Sequence, residues 1–367
     1  MATTDPVCVL GGGVAGLACA AALAQTGRRV TLLEQASALT EVGAGLQIAP
    51  NGGRVLDALG AAPPALESRA VHLIDGPSGR SLIRMPLGPG FRFIHRADLI
   101  AELERTARAE GVEILLGCHV DRVDAGRLIA DGREMAFDHL VGADGARGAA
   151  RRFVAPDHFS RFTGQVAWRT LVPAPDDWPL EAQVHVGPGR HLVLYPLREG
   201  RLLNIVAVEE RSDWVAEGWS QRDDPANLRA AFDGYAPFIR ELLARVETVH
   251  LWGLMDHGAV PAWHRNGVTL IGDAAHPTLP FLAQGANLAL EDAWTLAHAL
   301  DDPTAWEAAR RPRVERALMA ARANAANYHL SGPRKTLAHL VLRLVAGVAP
   351  GAMLKRYDWL YDHDVTA

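Results

Sequence analysis

Apolar and polar residues change their spacing several times along the chain, and the first change lies within its first forty residues. The apolar run "VCVL" is followed by Gly11, Gly13 and Gly16, then by an alanine-rich stretch ending at Gly27 and a second apolar run, "VTLLE". Short apolar runs indicate buried strands, whereas the longer alanine-rich stretch indicates a helix. The pattern predicts a strand, a helix and a strand that form one βαβ unit.

The next part of the chain is predicted to contain two helices and then several short strands. Residues 51–59 and 98–110 have apolar residues at helical spacing, and a glycine follows each of them. From 112 to 143 strands dominate, with turns expected at 125–126 and 131–132.

Alternation with a period of two marks the long stretch from about residue 160 to 262. It contains "GQVAWRTLV", "AQVHVG", "HLVLYPL" and "LLNIVAV", separated by turn residues. Such runs predict an antiparallel sheet rather than further βαβ units. An apolar strand returns at "VTLIGDA", a helix follows from about Gly285, and the remainder is predicted to be helical, with Asp302 and Pro303 at an N-cap and a first turn.

The predicted fold class is α/β plus an antiparallel sheet. A discontinuous Rossmann-like domain carries an inserted β-sheet domain and is followed by a helical C-terminal tail, with a cleft between the first two. The Rossmann-like domain is predicted to comprise residues 1–69, 92–158 and 263–310, the inserted domain 70–91 and 159–262, and the tail 311–367.

Charge and composition narrow the possible partners and location. The net charge of −5 gives no general electrostatic reason to bind nucleic acid or an anionic membrane. Three cysteines without metal-ligand spacing predict buried thiols, no metal site and a reducing cytoplasmic location. We expect no signal peptide at the glycine-interrupted first run and no membrane span, because Arg343, Gly347 and Pro350 interrupt the most apolar C-terminal segment.

The first candidate motif is "GGGVAG", a G-x-G-x-x-G pattern that follows a strand and opens a helix. Glycines allow the backbone to approach a pyrophosphate, and the helix N-terminus offers free N–H groups. Glu34, at the end of the second strand, is placed to accept hydrogen bonds from the two hydroxyls of an adenosine ribose, which favours FAD or NAD over NADP. The alternative is a helix-packing set of glycines beside an incidental glutamate.

The second motif, "VGADGARGAARR", spans residues 141–152 and delivers Asp144 into a loop. Asp144 is a candidate anchor for ribityl or backbone donors, and Arg147 and Arg151 are candidates for phosphate or a nicotinamide dinucleotide. An ordinary turn explains the same residues equally well.

The third motif, "IGDAAHPTLPFLAQGANLALEDAW", begins a helix that has almost no polar cap. Asp273 ends a strand and can accept a hydrogen bond from a ribityl hydroxyl. The N–H groups of Gly285, Ala286 and Asn287 would face the N1–C2=O edge of a flavin, whose reduced anion a helix dipole stabilises. His276 is expected to brace the loop. A plain NAD-dependent dehydrogenase leaves Asp273 and this helix unexplained.

These motifs, in this order, resemble those of the class A flavin-dependent aromatic hydroxylases, the family of p-hydroxybenzoate hydroxylase, and especially its salicylate hydroxylase-like branch. The segments "GAGLQIAPNG" at 43–52, "HRADL" at 95–99, "GQVAWR" at 164–169 and "WLYDHDV" at 359–365 strengthen the resemblance, which spans nearly the whole chain. It implies bound FAD, NADH or NADPH as a transient reductant, and O2. In that family oxygen adds at flavin C4a, and the hydroperoxide hydroxylates an electron-rich phenolic or heteroaromatic ring.

The resemblance also implies residue roles. Glu34 would contact the adenosine ribose, Arg96 the pyrophosphate or ribityl chain, and Asp273 the ribityl or pyrophosphate. The full set of expected FAD contacts is Gly11, Gly13, Ala15, Gly16, Glu34, Gln35, Gln47, Arg96, Val120, Asp144, Asp273, Gly285, Ala286 and Asn287. One position departs from the family: Gly148 stands where a serine is usual, so a hydroxyl contact is lost.

The catalytic candidates are Tyr195, His191 and Gln47. Hydroxylation of a phenol needs a group that removes its proton. Tyr195 and His191 are four residues apart on a predicted strand and so lie on one face, with His191 as partner or relay of Tyr195. Gln47 falls near flavin and substrate by resemblance, although an amide does not titrate. The alternative makes Tyr195 a core aromatic and His191 a satisfied surface residue.

An apolar wall and two functional alternatives complete the expectations. Pro280, Phe281 and Leu282 are predicted to line the substrate pocket, which suggests a small aromatic substrate. The alternatives to an aromatic hydroxylase are a flavin monooxygenase of polycyclic natural products and a non-catalytic flavin redox sensor. The sequence leaves the assembly open between a monomer and a homodimer.

Overall fold

The computed structural model describes residues 6–39, 45–212, 221–258 and 260–367. Its strands are β1 (Val7–Leu10), β2 (Val30–Glu34), β3 (Gly45–Ile48), β4 (Ala65–Glu67), β5 (Ala70–Asp75), β6 (Ser81–Pro86), β7 (Arg92–His95), β8 (Glu113–Leu116), β9 (Val120–Asp124), β10 (Arg127–Ala130), β11 (Arg133–Ala136), β12 (His139–Gly142), β13 (Arg161–Pro173), β14 (Glu181–Gly187), β15 (Arg190–Leu197), β16 (Leu202–Glu210), β17 (Arg222–Asp223), β18 (Val249–Asp256), β19 (His264–Arg265) and β20 (Val268–Leu270).

The helices are α1 (Val14–Gln25), α2 (Pro50–Ala58), α3 (Arg96–Ala109), α4 (Ala149–Val154), α5 (Pro225–Ala231), α6 (Pro237–Ala244), α7 (Gly285–Ala297), α8 (Pro303–Tyr328), α9 (Gly332–Val348), α10 (Ala352–Lys355) and α11 (Asp358–Tyr361). Short 3-10 turns span Gly272–Ala274 and Pro280–Leu282.

A six-stranded sheet in the order β19-β20-β12-β1-β2-β8 forms the Rossmann-like part. The neighbours from β20 to β8 are parallel, and β19 is an antiparallel edge strand. Helix α1 connects β1 to β2, so the predicted βαβ unit is present. Ten of the residues of α1 are buried, because helix and sheet bury their apolar faces against each other in the largest core of the protein.

The second large sheet has eight strands in the order β17-β18-β13-β16-β15-β14-β5-β6. Its pairs are antiparallel except that β14 and β5 run parallel. Because β5 and β6 fall within residues 70–91, this early segment joins the sheet formed mainly by residues 159–262, as the predicted inserted domain requires. Two smaller sheets, β9-β10-β11 and β3-β7-β4, lie elsewhere in the chain.

Two helices in this region were not expected from the alternation of residues 160–262. Helices α5 and α6 are only 7 and 8 residues long, too short to show a clear helical period, and each begins at a proline. They cover one face of the eight-stranded sheet through a core that contains Leu228, Phe232 and Ile239. The opposite face is left for contacts with the rest of the protein.

The C-terminal part is helical, as predicted. Asp302 caps α8, its side chain accepting a hydrogen bond from the Ala305 N–H at 3.0 Å. The predicted domain limit at 310/311 falls inside this continuous helix, so the limits of the three parts stay predictions. Among the described residues, no helix combines the length and the apolar character needed to cross a bilayer.

Candidate active site

Four neighbouring parallel strands bring the predicted nucleotide-binding residues to one edge of the six-stranded sheet. The carboxyl ends of β2, β1, β12 and β20 lead into Glu34, Gly11, Asp144 and Asp273. Backbone hydrogen bonds join these ends, including Gly11 N–H to the Leu33 carbonyl at 2.8 Å. Ligands of α/β sheets bind at this carboxyl edge.

The glycine turn after β1 leaves the N-terminus of α1 accessible. Gly11 has φ +107°, and a Cβ there would lie 2.5 Å from the Ala143 carbonyl oxygen, so a larger residue does not fit. A Cβ on Gly13 would meet nothing within 4 Å, and this N-cap makes no side-chain cap. The first N–H groups of α1 are therefore available to an anion. Ala15 is buried beside Gly272, and Gly16 packs against Gly11.

Glu34 lies directly against this turn. One carboxylate oxygen accepts from Gly12 N–H at 2.6 Å and the other from Ala36 N–H at 2.8 Å. The next residue, Gln35, is exposed and its side-chain oxygen lies 3.3 Å from His119 Nδ1, while Val120 is buried at the start of β9. The structure therefore places these predicted contacts close together at the end of β2.

Asp144 caps the short helix α4 and explains the unusual Gly148. Its carboxylate accepts from Ala150 N–H at 2.9 Å, and any Cβ at Gly148 would clash with that carboxylate. Burial raises the pKa of Asp144 to about 6, although the Ala150 N–H opposes the shift. The second carboxylate oxygen has no hydrogen-bond partner among the described residues, which marks it as available to a donor from a ligand.

Asp273 is exposed at its surface, yet many protein atoms surround its carboxyl group. Burial raises the pKa of this carboxyl, while His276, Arg96 and Arg151 act in the opposite direction. Arg151 is itself buried, and one of its nitrogens donates to the Asp273 and Ala274 carbonyls at 3.2 Å. Arg151 thus holds the Asp273 turn in place, a role different from the predicted contact with phosphate.

Helix α7 begins without a side-chain cap, as the sequence indicated. Gly285 and Ala286 are half-buried, whereas Asn287 is fully buried. The Asn287 side chain accepts from Ala49 N–H at 2.9 Å and donates to the Gln47 carbonyl at 3.1 Å. Because this side chain is committed to the strand that carries Gln47, any role in cofactor binding falls to the backbone N–H groups.

His276 is buried and bonded to Asp292, with 2.5 Å between His276 Nε2 and the carboxylate. Asp292 also accepts from Gly272 N–H at 3.0 Å, so both groups brace the turn that carries Asp273. The expected bracing role of His276 agrees with these contacts.

The catalytic candidates lie on the face of β15 opposite α5 and α6. Tyr195 is buried and stacks on Phe93 with 5.0 Å between ring centroids, and the His191 ring lies 5.6 Å from the ring of Phe281. Burial raises the pKa of Tyr195 to about 12 and lowers the pKa of His191 well below its usual value. Both rings are therefore neutral at physiological pH.

The predicted pairing of His191 with Tyr195 is wrong. Four residues of an extended strand span about 13 Å, so two side chains at that spacing share a face without touching. His191 Nδ1 instead lies 2.7 Å from Nε2 of His329, at the end of α8. No local pattern indicates this contact, because 138 residues separate the two histidines in sequence.

The three residues predicted to line the substrate pocket differ in their exposure to solvent. Phe281 and Leu282 are buried, and Pro280 is exposed. Phe281 packs against apolar residues of the eight-stranded sheet, among them Val208 and Trp252, whereas Leu282 belongs to the core of the Rossmann-like part. This 3-10 turn consequently connects the two large sheets. Gly43 and Ala44, the first residues of the "GAGLQIAPNG" motif, lie outside the described residues.

The residues present fit a bound FAD. Two uncapped helix N-termini, those of α1 and α7, match the anionic pyrophosphate and the flavin pyrimidine edge, which gains negative charge on reduction. Glu34 and Asp273 supply acceptors for its ribose and ribityl hydroxyls, and Asp144 has an unpartnered oxygen at the same sheet edge.

Comparisons with known proteins agree with this site. A family model described as an FAD binding domain matches residues 101–326, and a model of pyridine nucleotide-disulphide oxidoreductases matches residues 5–159. A 3-amino-4-hydroxybenzoate 2-monooxygenase of Streptomyces platensis is 35% identical over 97% of this chain and 95% of its own length. A 3-hydroxybenzoate 6-hydroxylase of Polaromonas naphthalenivorans is 34% identical over 98% of this chain and 96% of its own length.

Solved structures show the same fold. Klebsiella pneumoniae HpxO complexed with FAD and uric acid has a TM-score of 0.81 and 26% identity, with 94% of each chain covered. A salicylate hydroxylase substrate complex has a TM-score of 0.81 at 24% identity, covering 100% of this chain and 97% of the other. The chain therefore belongs to the class A FAD-dependent aromatic hydroxylases and is a single-component flavin-dependent monooxygenase.

Proposed function

We propose that the protein binds FAD at the carboxyl edge of the six-stranded sheet and, with NADH or NADPH and O2, hydroxylates a small phenolic or heteroaromatic compound of the hydroxybenzoate type. The observation that carries the cofactor site is the convergence of Gly11, Glu34, Asp144 and Asp273 on four neighbouring strand ends. The names of the relatives, which act on 3-hydroxybenzoate and 3-amino-4-hydroxybenzoate, support the substrate class.

Residues around the proposed cofactor site have separate roles. Bound FAD supplies the redox chemistry and the activation of oxygen. The backbone N–H groups at the start of α7 stabilise negative charge on the pyrimidine edge of the ring system. The backbone of Gln47 is held near this helix by the hydrogen bond from the Asn287 side chain to its carbonyl. The side-chain amide of Gln47 does not titrate, so it is suited to a polar contact and not to proton transfer.

The face of β15 is proposed to bind the substrate ring. Phe281 and Tyr195 offer aromatic surface, and the Tyr195 hydroxyl stays protonated because burial raises its pKa to about 12, so it can donate a hydrogen bond to a substrate oxygen. Neutral His191 can accept the phenolic proton. Removal of that proton increases electron density in the ring that is to be hydroxylated.

The visible spectrum of the purified protein and its turnover of a compound panel test this function. Oxidation of NADH and of NADPH is followed with hydroxybenzoates, aminohydroxybenzoates and hydroxypyridines, and hydroxylated product and peroxide are measured together. We expect a yellow protein that forms product with little peroxide on one class of compound. A colourless protein that does not take up FAD contradicts the cofactor site, and peroxide alone with every compound favours a larger polycyclic substrate or a redox sensor.

The variants Tyr195→Phe and His191→Ala test the substrate face. Both should keep FAD bound and leave its reduction by the nicotinamide unchanged, while hydroxylation slows by about 10²-fold or more for His191→Ala, the usual effect of losing a general base. Unchanged product formation in both variants removes these residues from the mechanism.

Location and assembly are also proposals. Cys8, Cys19 and Cys118 are free, and burial raises the pKa of Cys8 to about 12, which keeps that thiol unreactive. Free thiols favour a reducing, cytoplasmic location. Light scattering on the purified protein decides between the proposed monomer and homodimer.

A further inference from the structure

Three titratable side chains form one continuous hydrogen-bonded chain behind the proposed substrate face. His191 Nδ1 lies 2.7 Å from His329 Nε2, and His329 Nδ1 lies 2.7 Å from Glu210 Oε1. The three residues come from β15, the end of α8 and the end of β16. Both distances are typical of well-formed hydrogen bonds.

Exposure increases steadily along this chain. His191 is 1% exposed, the His329 side chain is 3% exposed, and the Glu210 side chain is 55% exposed. The chain therefore connects a buried imidazole on the substrate face to bulk water. Purely structural hydrogen bonds do not require such an exposed end.

The acceptor at the exposed end fixes where each imidazole carries its proton. An ionised Glu210 only accepts, so His329 Nδ1–H donates to it and His329 Nε2 becomes an acceptor. His191 Nδ1–H then donates to His329 Nε2, and the lone pair of His191 remains on Nε2. The innermost atom of the chain is thus a proton acceptor.

The surroundings favour neutral imidazoles between proton transfers. Burial lowers the pKa of His191, and His329 lowers it further. Burial also lowers the pKa of His329; Glu210 opposes this effect and Arg190 adds to it. Gln165 also lies near His329, with 3.5 Å between its Nε2 and His329 Nδ1, and the rings of Tyr328 and Phe281 pack on His191 without adding charge. These lowered pKa values mean that neither imidazole retains a proton that enters this chain.

We propose that His191, His329 and Glu210 form a proton relay that carries the phenolic proton of the substrate to solvent. This inference rests on the proposed function. The substrate O–H bond breaks as an N–H bond forms at His191 Nε2; the Nδ1 proton of His191 moves to His329 Nε2, and the Nδ1 proton of His329 moves to the Glu210 carboxylate and then to water. The net change is one proton transferred, so no oxidant or reductant is needed.

The first test measures tautomers in the flavin-free protein. Nitrogen NMR of the protein labelled with ¹⁵N-histidine, with His191→Gln and His329→Gln used for assignment, reports which nitrogen of each ring carries the proton. We expect Nδ1–H with an unprotonated Nε2 for both rings, and a mixture of tautomers in Glu210→Gln. The adjacent Glu209→Gln is the matched control, since Glu209 pairs with Arg190 and Arg211 instead of a histidine.

The second test measures the transfer itself, with 3-hydroxybenzoate as the probe. Stopped-flow mixing in weakly buffered solution with a pH indicator should show that Glu210→Gln and His329→Gln slow proton release and hydroxylation by about tenfold or more. Flavin reduction and the Kd for FAD should stay unchanged, and added imidazole buffer should restore the rate of Glu210→Gln. Glu209→Gln should behave as the unmodified protein does.

The outcomes separate the relay from the proposed function. A proton on His191 Nε2, or equal effects of Glu210→Gln and Glu209→Gln without rescue by buffer, overturns the relay and leaves His329 as a tether between α8 and the sheet. Absence of hydroxylated product from the unmodified protein overturns the proposed function, whichever tautomer is found.

Discussion

At the scale of single residues, Asp144 explains why a side chain does not fit at position 148. The usual serine of its family is Gly148 here, and the Asp144 carboxylate occupies the space that a serine side chain would need. It also provides the cap of α4 through Ala150 N–H. Helix α4 is therefore capped by Asp144 although its N-cap residue, Gly148, has no side chain.

Restoring the serine should harm this protein. In Gly148→Ser the new Cβ collides with the Asp144 carboxylate, and overpacking of this kind lowers the free energy of unfolding by about 1–3 kcal/mol. Urea unfolding of the flavin-free protein measures the loss, and FAD titration should show weaker binding. Gly234→Ser is the control, since a Cβ there meets nothing within 4 Å. Equal stability of the two variants would contradict this account of Gly148.

The positions of Glu34, the glycine turn and Asp273 at one sheet edge could be predicted because each depends on a few adjacent residues and a strand end. Those of His329 and Glu210 could not, since their partners lie on elements far apart in sequence. The contacts of Arg151 with two backbone carbonyls could not be predicted for a related reason, because these carbonyls lie 122 and 123 residues away in sequence.

At the scale of elements, a buried network of charged groups fixes α7 relative to α8. Glu291 and Asp292 of α7 are fully buried, and Arg310 of α8 bonds to both at 2.7 and 2.8 Å. Arg313 adds a second contact to Glu291 at 2.6 Å. Because α7 supplies the uncapped N-terminus of the cofactor site, this network also sets the position of that terminus.

Asp292→Asn should be strongly destabilising. Removing one member of a buried ion pair costs about 3–5 kcal/mol because the partner charge is left uncompensated. Urea unfolding at neutral pH measures the effect, with Asp301→Asn as a control, whose exposed pairing with Arg28 should be worth about 0–1 kcal/mol. Similar losses in the two variants would show that the buried network adds nothing beyond a surface pair.

The pH dependence of this contribution has a definite direction. Burial alone would raise the pKa of Asp292, but His276 and Arg310 outweigh it and hold the pKa at about 2, below the ordinary value of 3.8. A depressed pKa in the folded state means that the stabilisation is complete above pH 3.8 and is lost as the pH falls towards 2. The stability difference between the unmodified protein and Asp292→Asn should therefore shrink across that interval.

At the scale of the whole molecule, the last residues belong to the main core rather than to a loose tail. Arg313 donates to the Trp359 and Leu360 carbonyls at 2.8 Å, and Leu360 is fully buried in the core of the six-stranded sheet. Helix α9 differs, because Leu337, Leu344 and other apolar side chains on it are exposed. The helical character of the C-terminal part could be predicted from its composition. Which of its segments is buried and which is exposed could not be predicted, because this depends on contacts with residues far away in sequence.

Replacing one leucine in each region by alanine should show that the two regions contribute differently to stability. Leu360→Ala should lower the free energy of unfolding by about 2–4 kcal/mol, as expected for a buried leucine. Leu337→Ala, at a position 63% exposed, should change it by less than about 0.5 kcal/mol. Calorimetry on both variants provides the comparison, and an equal effect at the two sites would place the last residues outside the core.

The parallel pairing of β5 with β14 also sets the order in which the protein can fold on the ribosome. Strand β5 is synthesised first, but it cannot pair until its partner β14, residues 181–187, has been synthesised. Strand β18 of the same sheet follows later and ends at Asp256. In the other large sheet, strand β1 pairs with β12. Strand β12 in turn pairs with β20, which ends at Leu270. Neither large sheet can close while the nascent chain is short, because non-local strand pairs form only after their last partner has been synthesised. The two large sheets are therefore built from segments that alternate along the sequence, and a gene cut between those segments would yield two chains with unpaired strands.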